Sequence, residues 1–372
     1  MLVTIIIFIV ILGILVFVHE LGHFIVAKRS GMKVDEFGFG FPPRVFGIQK
    51  VDGKWRVVAG KAANLDPNKT VYSINAIPLG GFVKIVGENN ESAEDPQSFI
   101  NKPFGRRLLT LLAGVLMNVL LAWVLLSIGL GLGLPAAVDS TTALPKGAHF
   151  TNQSAAIVDV IKDSPAAQAG LLAGDVIISI NDEKLPTADA VQAFVTSHKG
   201  QPLSFNIKRG SSTETKTVQS IADPAPDRGP TGIALADVGK LSYSWYLAPW
   251  AGAQAVVNVL IAIVTGLYNL IVSGIGLDSL GGPVKIAQLT GQAADLGLAY
   301  MLQFTAFLSL NLAILNALPF PALDGGRVLF LIIEKVRGKR NNQKVEQWAN
   351  TVGFMLLLLL MLVVTVKDIR GL

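Results

Sequence analysis

His19-Glu20-Leu21-Gly22-His23 concentrates the reactive side chains of this sequence in five residues. On a helix, positions i and i+4 share a face, so both imidazoles can address one metal ion while Glu20 takes a proton from an attacking water. The chain has four histidines, so a chance match to this spacing is rare. It has no cysteine, which excludes disulfides, thiol catalysis, Cys-ligated zinc and iron–sulfur clusters together. A catalytic zinc takes three protein ligands and keeps one position open. His149 and His198 fall in or beside a distant polar region, so a carboxylate is needed as the third ligand. Asp324 is the candidate. It follows Asn311 and Asn316 in an apolar run that ends Pro319-Phe320-Pro321-Ala322-Leu323-Asp324-Gly325-Gly326. Two prolines and two glycines break a helix there, and irregular backbone at membrane depth is tolerated only inside protein or beside a wet cavity. The alternative is a helix end at the cytoplasmic surface with Asp324 solvated.

The frame around these residues is apolar. Hydrophobic residues make up 51% of the 372, charged residues 15%, and mean hydropathy is +0.52. An average soluble domain carries roughly 25% charged residues, so a purely soluble globule, a disordered chain and a collagen-like chain are all excluded. The net charge of +5 fits cytoplasmic loops of a membrane protein rather than nucleic-acid binding. Uncharged runs long enough to span lie at residues 1–27 (broken only by the polar motif), 108–138, 241–277, 296–323 and 347–366. The first has neither the basic start nor the cleavage site of a signal peptide, and reads as a span. Pro135 marks the expected end of the second. Residues 28–107 hold thirteen Lys/Arg and the short loop 335–344 holds five, which places both inside and the N-terminus outside. Residues 139–240 carry nine Lys/Arg against eleven Asp/Glu, as an exported domain does. Four crossings satisfy this pattern, with 241–277 lying on or dipping into the membrane; a fifth crossing at 253–277 is the alternative.

Within the exported region, alternation predicts strands at 156–160 and 176–180, a helix at 188–197, and a hairpin of 202–208 with 214–220 around Gly210. The run Ser164-Pro165-Ala166-Ala167-Gln168-Ala169-Gly170-Leu171 followed by Gly174-Asp175-Val176-Ile177 resembles the PDZ domains of bacterial proteases. Such domains take extended peptide C-termini on a sheet edge, and residues 232–235 are the candidate edge; the alternative is a spacer. Separately, Tyr72 to Lys84 holds β-formers, a Pro-Leu-Gly-Gly turn and little charge. A helical substrate hides its scissile carbonyl in a hydrogen bond, so it must be opened and its backbone paired again. Tyr72, Ile74, Ala76, Gly80 and Gly81 are expected to offer that pairing from a hairpin entering the membrane plane; an ordinary cytoplasmic hairpin is the alternative. Asn311 and Asn316 are candidates for holding substrate backbone, and Asn118 for substrate contact or for locking the second span, with Pro319 and Pro321 shaping the turn.

Taken together, HELGH in the first span, Leu323-Asp324-Gly325 late in the chain, a PDZ-like run between them, the Tyr72–Lys84 segment and Gly114-x-x-x-Asn118 resemble the bacterial site-2 proteases of family M50, in their RseP-like branch. The resemblance covers nearly the whole chain. It implies one zinc per chain on His19, His23 and Asp324, Glu20 as base, and cleavage inside single-span membrane proteins already trimmed by another protease, such as anti-sigma factors or signal-peptide remnants. Two departures stand out: one PDZ domain where many members have two, and Val115 where a proline is common. The expected architecture is a multi-pass α-helical membrane protein with a re-entrant β-hairpin at about 65–88 and an inserted α+β PDZ domain. Residues 1–138 and 241–372 form its membrane core and 139–240 its exported domain, in a bacterial cytoplasmic membrane. Its partners are single-span substrates, peptide C-termini and lipid, with no nucleic acid. The rivals are a metal-free, membrane-anchored PDZ scaffold and a transporter whose intramembrane polar residues line an ion path.

Overall fold

A computed structural model describes residues 2–60, 66, 68–88, 92, 94–138, 144–210, 212–224, 229–274 and 281–370, apart from the side chains of Pro78 and Leu79. Residues 139–143, where the exported domain was expected to begin, 275–277 of the third apolar run, and 65 and 67 at the start of the hairpin region lie outside the described residues. The chain divides into two compact units, residues 1–127 with 252–372, and residues 128–251.

Among the described residues, five helices are long and apolar enough to cross a membrane: α1 (Leu2–Arg29), α2 (Phe104–Leu132), α5 (Ala248–Ser273), α7 (Leu298–Ala317) and α9 (Gln343–Arg370), all mainly in the first unit, α2 and α5 running on into the second. Two shorter helices accompany them, α6 (Pro283–Leu296) and α8 (Asp324–Arg337). Pro319 and Pro321 keep residues 318–323 out of helix, so α7 stops at Ala317 and a new helix begins at Asp324 itself. α2 ends at Leu132, three residues before Pro135. Gly133 takes φ +94, which ends the helix, and the apolar residues after it form a strand instead.

Three strands follow α1 in the order β2-β1-β3: β1 (Val34–Val51), β2 (Lys54–Ala59) and β3 (Val71–Ile85). Only the second arm of β3, residues 81–85, lies at the edge; residues 71–74 pair with β1 on both sides, with 36–39 and with 46–49, so the backbone of Tyr72 and Ile74, expected to pair with substrate, is already taken. β3 bends around the Pro78-Leu79-Gly80-Gly81 stretch, so Phe39 of β1 pairs with both Ile74 and Gly81. The predicted hairpin is therefore an open one that straddles β1. The register places Phe37, Phe39, Tyr72, Ile74, Phe46, Ile48, Val57 and Trp55 on one face. Its inner part rests on α1, where Phe37 stacks on Phe24 with centroids 4.5 Å apart. Its outer part is bare: Phe46 is 41% exposed, Ile74 51%, Trp55 58% and Val57 73%. Where β1, β3, α1, α2 and α8 converge, Ala27, Val34, Ile85, Leu111 and Leu331 form one buried cluster.

The second unit holds a six-stranded sheet of order β4-β9-β5-β6-β7-β8, comprising β4 (Leu134–Val138), β5 (Ala148–Val160), β6 (Val176–Ile180), β7 (Pro202–Arg209), β8 (Ser212–Gln219) and β9 (Ile233–Tyr243). Two helices join it, α3 (Pro165–Gln168) and α4 (Ala188–Ser197), each started by a side-chain cap, Ser164 and Thr187. The predicted strands and helix fall within these elements. Leu203, Phe205 and Ile207 point inward at alternate positions of β7 and meet Ile157, Ile177, Val191 and Val218 in a closed core. β4 pairs antiparallel with residues 237–241 of β9 and leaves 233–236 without a partner on that side among the described residues.

Asp175 is buried and accepts from Arg209 Nε and Nη2, each at 2.7 Å, and from the Leu172 N–H at 2.9 Å. Burial alone raises its pKa, but the Arg209 hydrogen bonds and charge outweigh it and hold the carboxyl below the usual carboxylate range. A carboxyl held low contributes stability above its unfolded value and loses it as pH falls through the folded value. Asp175→Asn is expected to cost about 1–3 kcal/mol at neutral pH, since Arg209 is partly solvated. It is also expected to flatten the loss of stability below about pH 4. Hydrogen exchange of the β6–β7 amides in the whole chain, measured against pH, checks both.

Candidate metal centre

The α1 helix carries His19 and His23 one turn apart and turns both toward α2. Their rings lie 4.9 Å apart at 75° and both are buried. α2 meets them with Thr110, Gly114 and Asn118, which recur every fourth residue on one face. His23 Nδ1 donates to the Thr110 carbonyl at 2.8 Å. Asn118 Nδ2 lies 3.3 Å from His19 Nδ1. Between these two contacts, Gly114 leaves the room that the rings occupy: a Cβ there would collide with His23 Nε2 and come within 2.6 Å of His19 Nε2 and Cε1. Gly22 likewise seats α1 on α2, where a Cβ would fall on the Ala113 carbonyl.

Asp324 closes the group from α8. Its Oδ2 lies 3.0 Å from His19 Nε2 and 3.3 Å from His23 Nε2, and the two Nε2 atoms are 3.2 Å apart. These three ligand atoms form a nearly equilateral triangle, and Oδ2 is buried with no hydrogen-bond partner among the described residues. Tetrahedral bonds of about 2.0–2.1 Å set ligands roughly 3.3–3.4 Å apart, so the triangle has the size of one face of a zinc tetrahedron. The tautomers fit as well. Nδ1 of His23 is committed to a carbonyl, leaving Nε2 for a metal. His19 reaches the same state when the Asn118 amide, turned half a revolution, accepts the Nδ1 proton through its oxygen. The residues present suit zinc in charge, spacing and protonation.

Asp324 is held where it is by the backbone around it. Cβ atoms at Gly325 and Gly326 would strike the carbonyls of residues 317, 318 and 320, so the turn can fold back over the helix start only with glycine there. Asn350 Oδ1 of α9 accepts from the Ala322 N–H at 3.0 Å, and Pro321 packs against Gly353.

The other expected residues distribute as follows. Glu20 is half-buried beside β3: Cβ atoms at Gly80 and Gly81 would meet Val16 and, at 3.0 Å, Glu20 Cβ. Gly80, with φ +86, needs its glycine twice over. Tyr72, Ile74 and Ala76 are exposed on the first arm of β3. Asn118 is fully buried and its carbonyl accepts from Ser309 Oγ of α7 at 2.8 Å, which ties α7 to α2. Asn311 donates back to Phe307 O of its own helix at 2.9 Å, and Asn316 stands one residue before the end of α7. Ser309 and Asn350 carried no sequence signal beyond being polar within apolar helices. Thr110 alone follows from spacing, four residues before Gly114.

Two histidines of one helical turn, a carboxylate brought in from another helix and a glutamate beside them, all among apolar helices, define the centre of a membrane metallopeptidase. The profile of peptidase family M50 matches residues 7–360, and the chain belongs to that family and is a zinc metalloprotease. A Clostridium perfringens protein named as a zinc metalloprotease is 37% identical over 95% of this chain and 95% of its own. The zinc metalloprotease RasP of Geobacillus kaustophilus is 33% identical over 99% and 98%, and the regulator of sigma-W protease RasP of Bacillus subtilis 31% over 99% and 99%. A solved PDZ domain of an SdrC-like protein from Listeria monocytogenes aligns with 25% of this chain and 93% of its own, at 23% identity and a TM-score of 0.20. The site-2 protease resemblance drawn from HELGH and Leu323-Asp324-Gly325 holds.

Gly114→Ala is expected to push both imidazoles off the triangle and weaken zinc binding by at least about tenfold. Gly105→Ala, where a Cβ meets nothing within 4 Å, is expected to leave it unchanged. Competition with a chelator of known affinity measures both.

Proposed function

We propose that this zinc metalloprotease hydrolyses peptide bonds inside the transmembrane segments of single-span proteins already shortened by another protease. His19, His23 and Asp324 hold one zinc per chain. The observation that carries this reading is the triangle of ligand atoms beside Glu20, placed among helices long enough to span a membrane. A zinc held by these residues would supply an activated water, with pKa lowered towards ~7, and Lewis-acid polarisation of the scissile carbonyl. Glu20 takes the proton of the attacking water and returns it to the leaving amine. Thr110 and Asn118 keep the two imidazoles in the tautomer that suits a cation. A substrate opened at the scissile bond has unpaired backbone groups, each costing several kcal/mol in lipid. The free edge of β3, which passes Glu20 at Gly81, pairs with them as an added strand. Tyr72, Ile74 and Ala76 face the substrate side chains, and Asn311 and Asn316 hold its backbone near the end of α7.

The sheet dips into the membrane. Supporting this, its apolar face starts against α1 and continues outward over Phe46, Ile74, Val57 and Trp55, which carry no protein cover in the described structure. Four helices cross: α1, α2, α7 and α9. Gly252, near the start of α5, touches Ser127 at the far end of α2, and Gly291 of α6 touches Thr4 at the start of α1. The N–H groups of Gly282 and Lys285 at the start of α6 donate to Asp368 at the end of α9. Both flanks of α5 thus belong to one side, so α5 lies in the membrane without crossing it. The N-terminus and the domain of residues 139–240 face outward from a bacterial cytoplasmic membrane. That domain is a PDZ domain that filters substrates by size and takes trimmed C-termini on the open edge at residues 233–236 of β9.

Glu20→Gln is expected to keep its zinc and lose about 10²–10⁴ in kcat on a purified single-span substrate carrying helix-breaking residues. A variant that still cuts at the parent rate removes Glu20 as base. Because the chain has no cysteine, Lys184→Cys and Lys339→Cys each report alone. An impermeant maleimide applied outside is expected to label the first and spare the second.

A further inference from the structure

Arg327, a permanent cation, lies within electrostatic reach of the carboxylates of Glu88, Asp324 and Glu20. Arg327 sits three residues after Asp324, in the first turn of α8. Its Nη1 donates to Glu88 Oε1, with both side chains largely shielded from solvent. Glu88 stands three residues beyond the end of β3, the strand whose Gly81 packs on Glu20. The start of α8 has no side-chain cap, since Leu323 occupies the capping position. The far end of that helix is anchored separately, by Arg107 of α2 donating to both carboxylate oxygens of Glu334 at 2.7 and 3.2 Å. That second pair lies ten residues from Asp324 and holds the helix as a whole. The first pair lies in the same turn as Asp324.

We propose that the Glu88–Arg327 ion pair locks the exit of β3 to the first turn of α8, so that the strand edge offered to substrate and the carboxylate completing the metal site move as one body. Glu88 and Arg327 are positioning residues and touch neither metal nor substrate. The inference rests on Asp324 as metal ligand and on β3 as substrate edge. Because a charged pair holds the joint, the pairing matters more than which side carries which charge. Two properties that an ordinary packing contact would not link, zinc affinity and KM, are then expected to fall together.

The test uses the full chain in detergent. Glu88→Gln and Arg327→Gln are each expected to weaken zinc by about 10–100-fold in chelator competition, as loss of an outer-shell partner does. Each is also expected to raise KM for the single-span substrate. The exchanged pair, Glu88→Arg with Arg327→Glu, is expected to recover both quantities to within about threefold of the parent, since charges in contact couple. Single variants with unchanged zinc affinity and KM overturn the proposal, as does an exchanged pair no better than either single variant. Asp324→Asn separates the two levels. If it keeps its zinc, the metal assignment fails and the proposal with it; if it loses zinc while the Glu88 and Arg327 variants keep theirs, the proposal alone fails.

Discussion

The structure depends on how closely α1 and α2 approach at two histidines. Imidazoles are bulky, and neighbouring helices ordinarily sit 8–10 Å apart with side chains between them. Here Gly22 lets α1 settle on the Ala113 carbonyl, and Gly114 leaves a recess in α2 that both rings fill. The same face of α2 then supplies the partners of the ring nitrogens turned away from Asp324, from Thr110 and Asn118. Small residues for approach and polar residues for pairing are the means by which helices associate where lipid gives no hydrophobic drive. In this case the means also build the ligand geometry.

A second constraint comes from the medium. Polar backbone inside a membrane must be paired, so the break between α7 and α8 has to be enclosed. It is enclosed by contact: Gly325 and Gly326 beneath the turn, Gly353 and Asn350 of α9 above it. The break puts a carboxylate at the start of a helix, where the positive end of the dipole favours its charge. In the three-stranded sheet, residues 81–85 of β3 pair on one side only among the described residues, while the inner part of its apolar face rests on α1.

Much of this was legible in the sequence, for reasons that differ by element. HELGH is readable because helical periodicity alone brings i and i+4 together. The domain between the spans is readable because its strands alternate, as Leu203, Phe205 and Ile207 do. Asp324 was narrowed to a candidate by prolines and glycines that no helix keeps without cause. Three things were not legible. The end of α2 was placed at Pro135 because an apolar run does not say where helix gives way to strand; a positive φ at Gly133 decides it. The hairpin's straddling of β1 depends on pairings between residues some forty positions apart. Arg327 and Glu88 become meaningful only once distant segments meet, since they pair across 239 positions.

The order of the ligands along the chain has a consequence of its own. His19, Glu20 and His23 are made first, while Asp324 comes only at position 324 of 372. A chain growing from its N-terminus therefore carries His19, Glu20 and His23 through most of its synthesis without Asp324, the third member of the group. During that interval its early helices share the membrane with other unfolded, newly inserted segments, which are the kind of chain an intramembrane hydrolase would attack. On the roles proposed above, the split site would act as a delay in biogenesis: cleaving power would arrive only once the chain has reached α8.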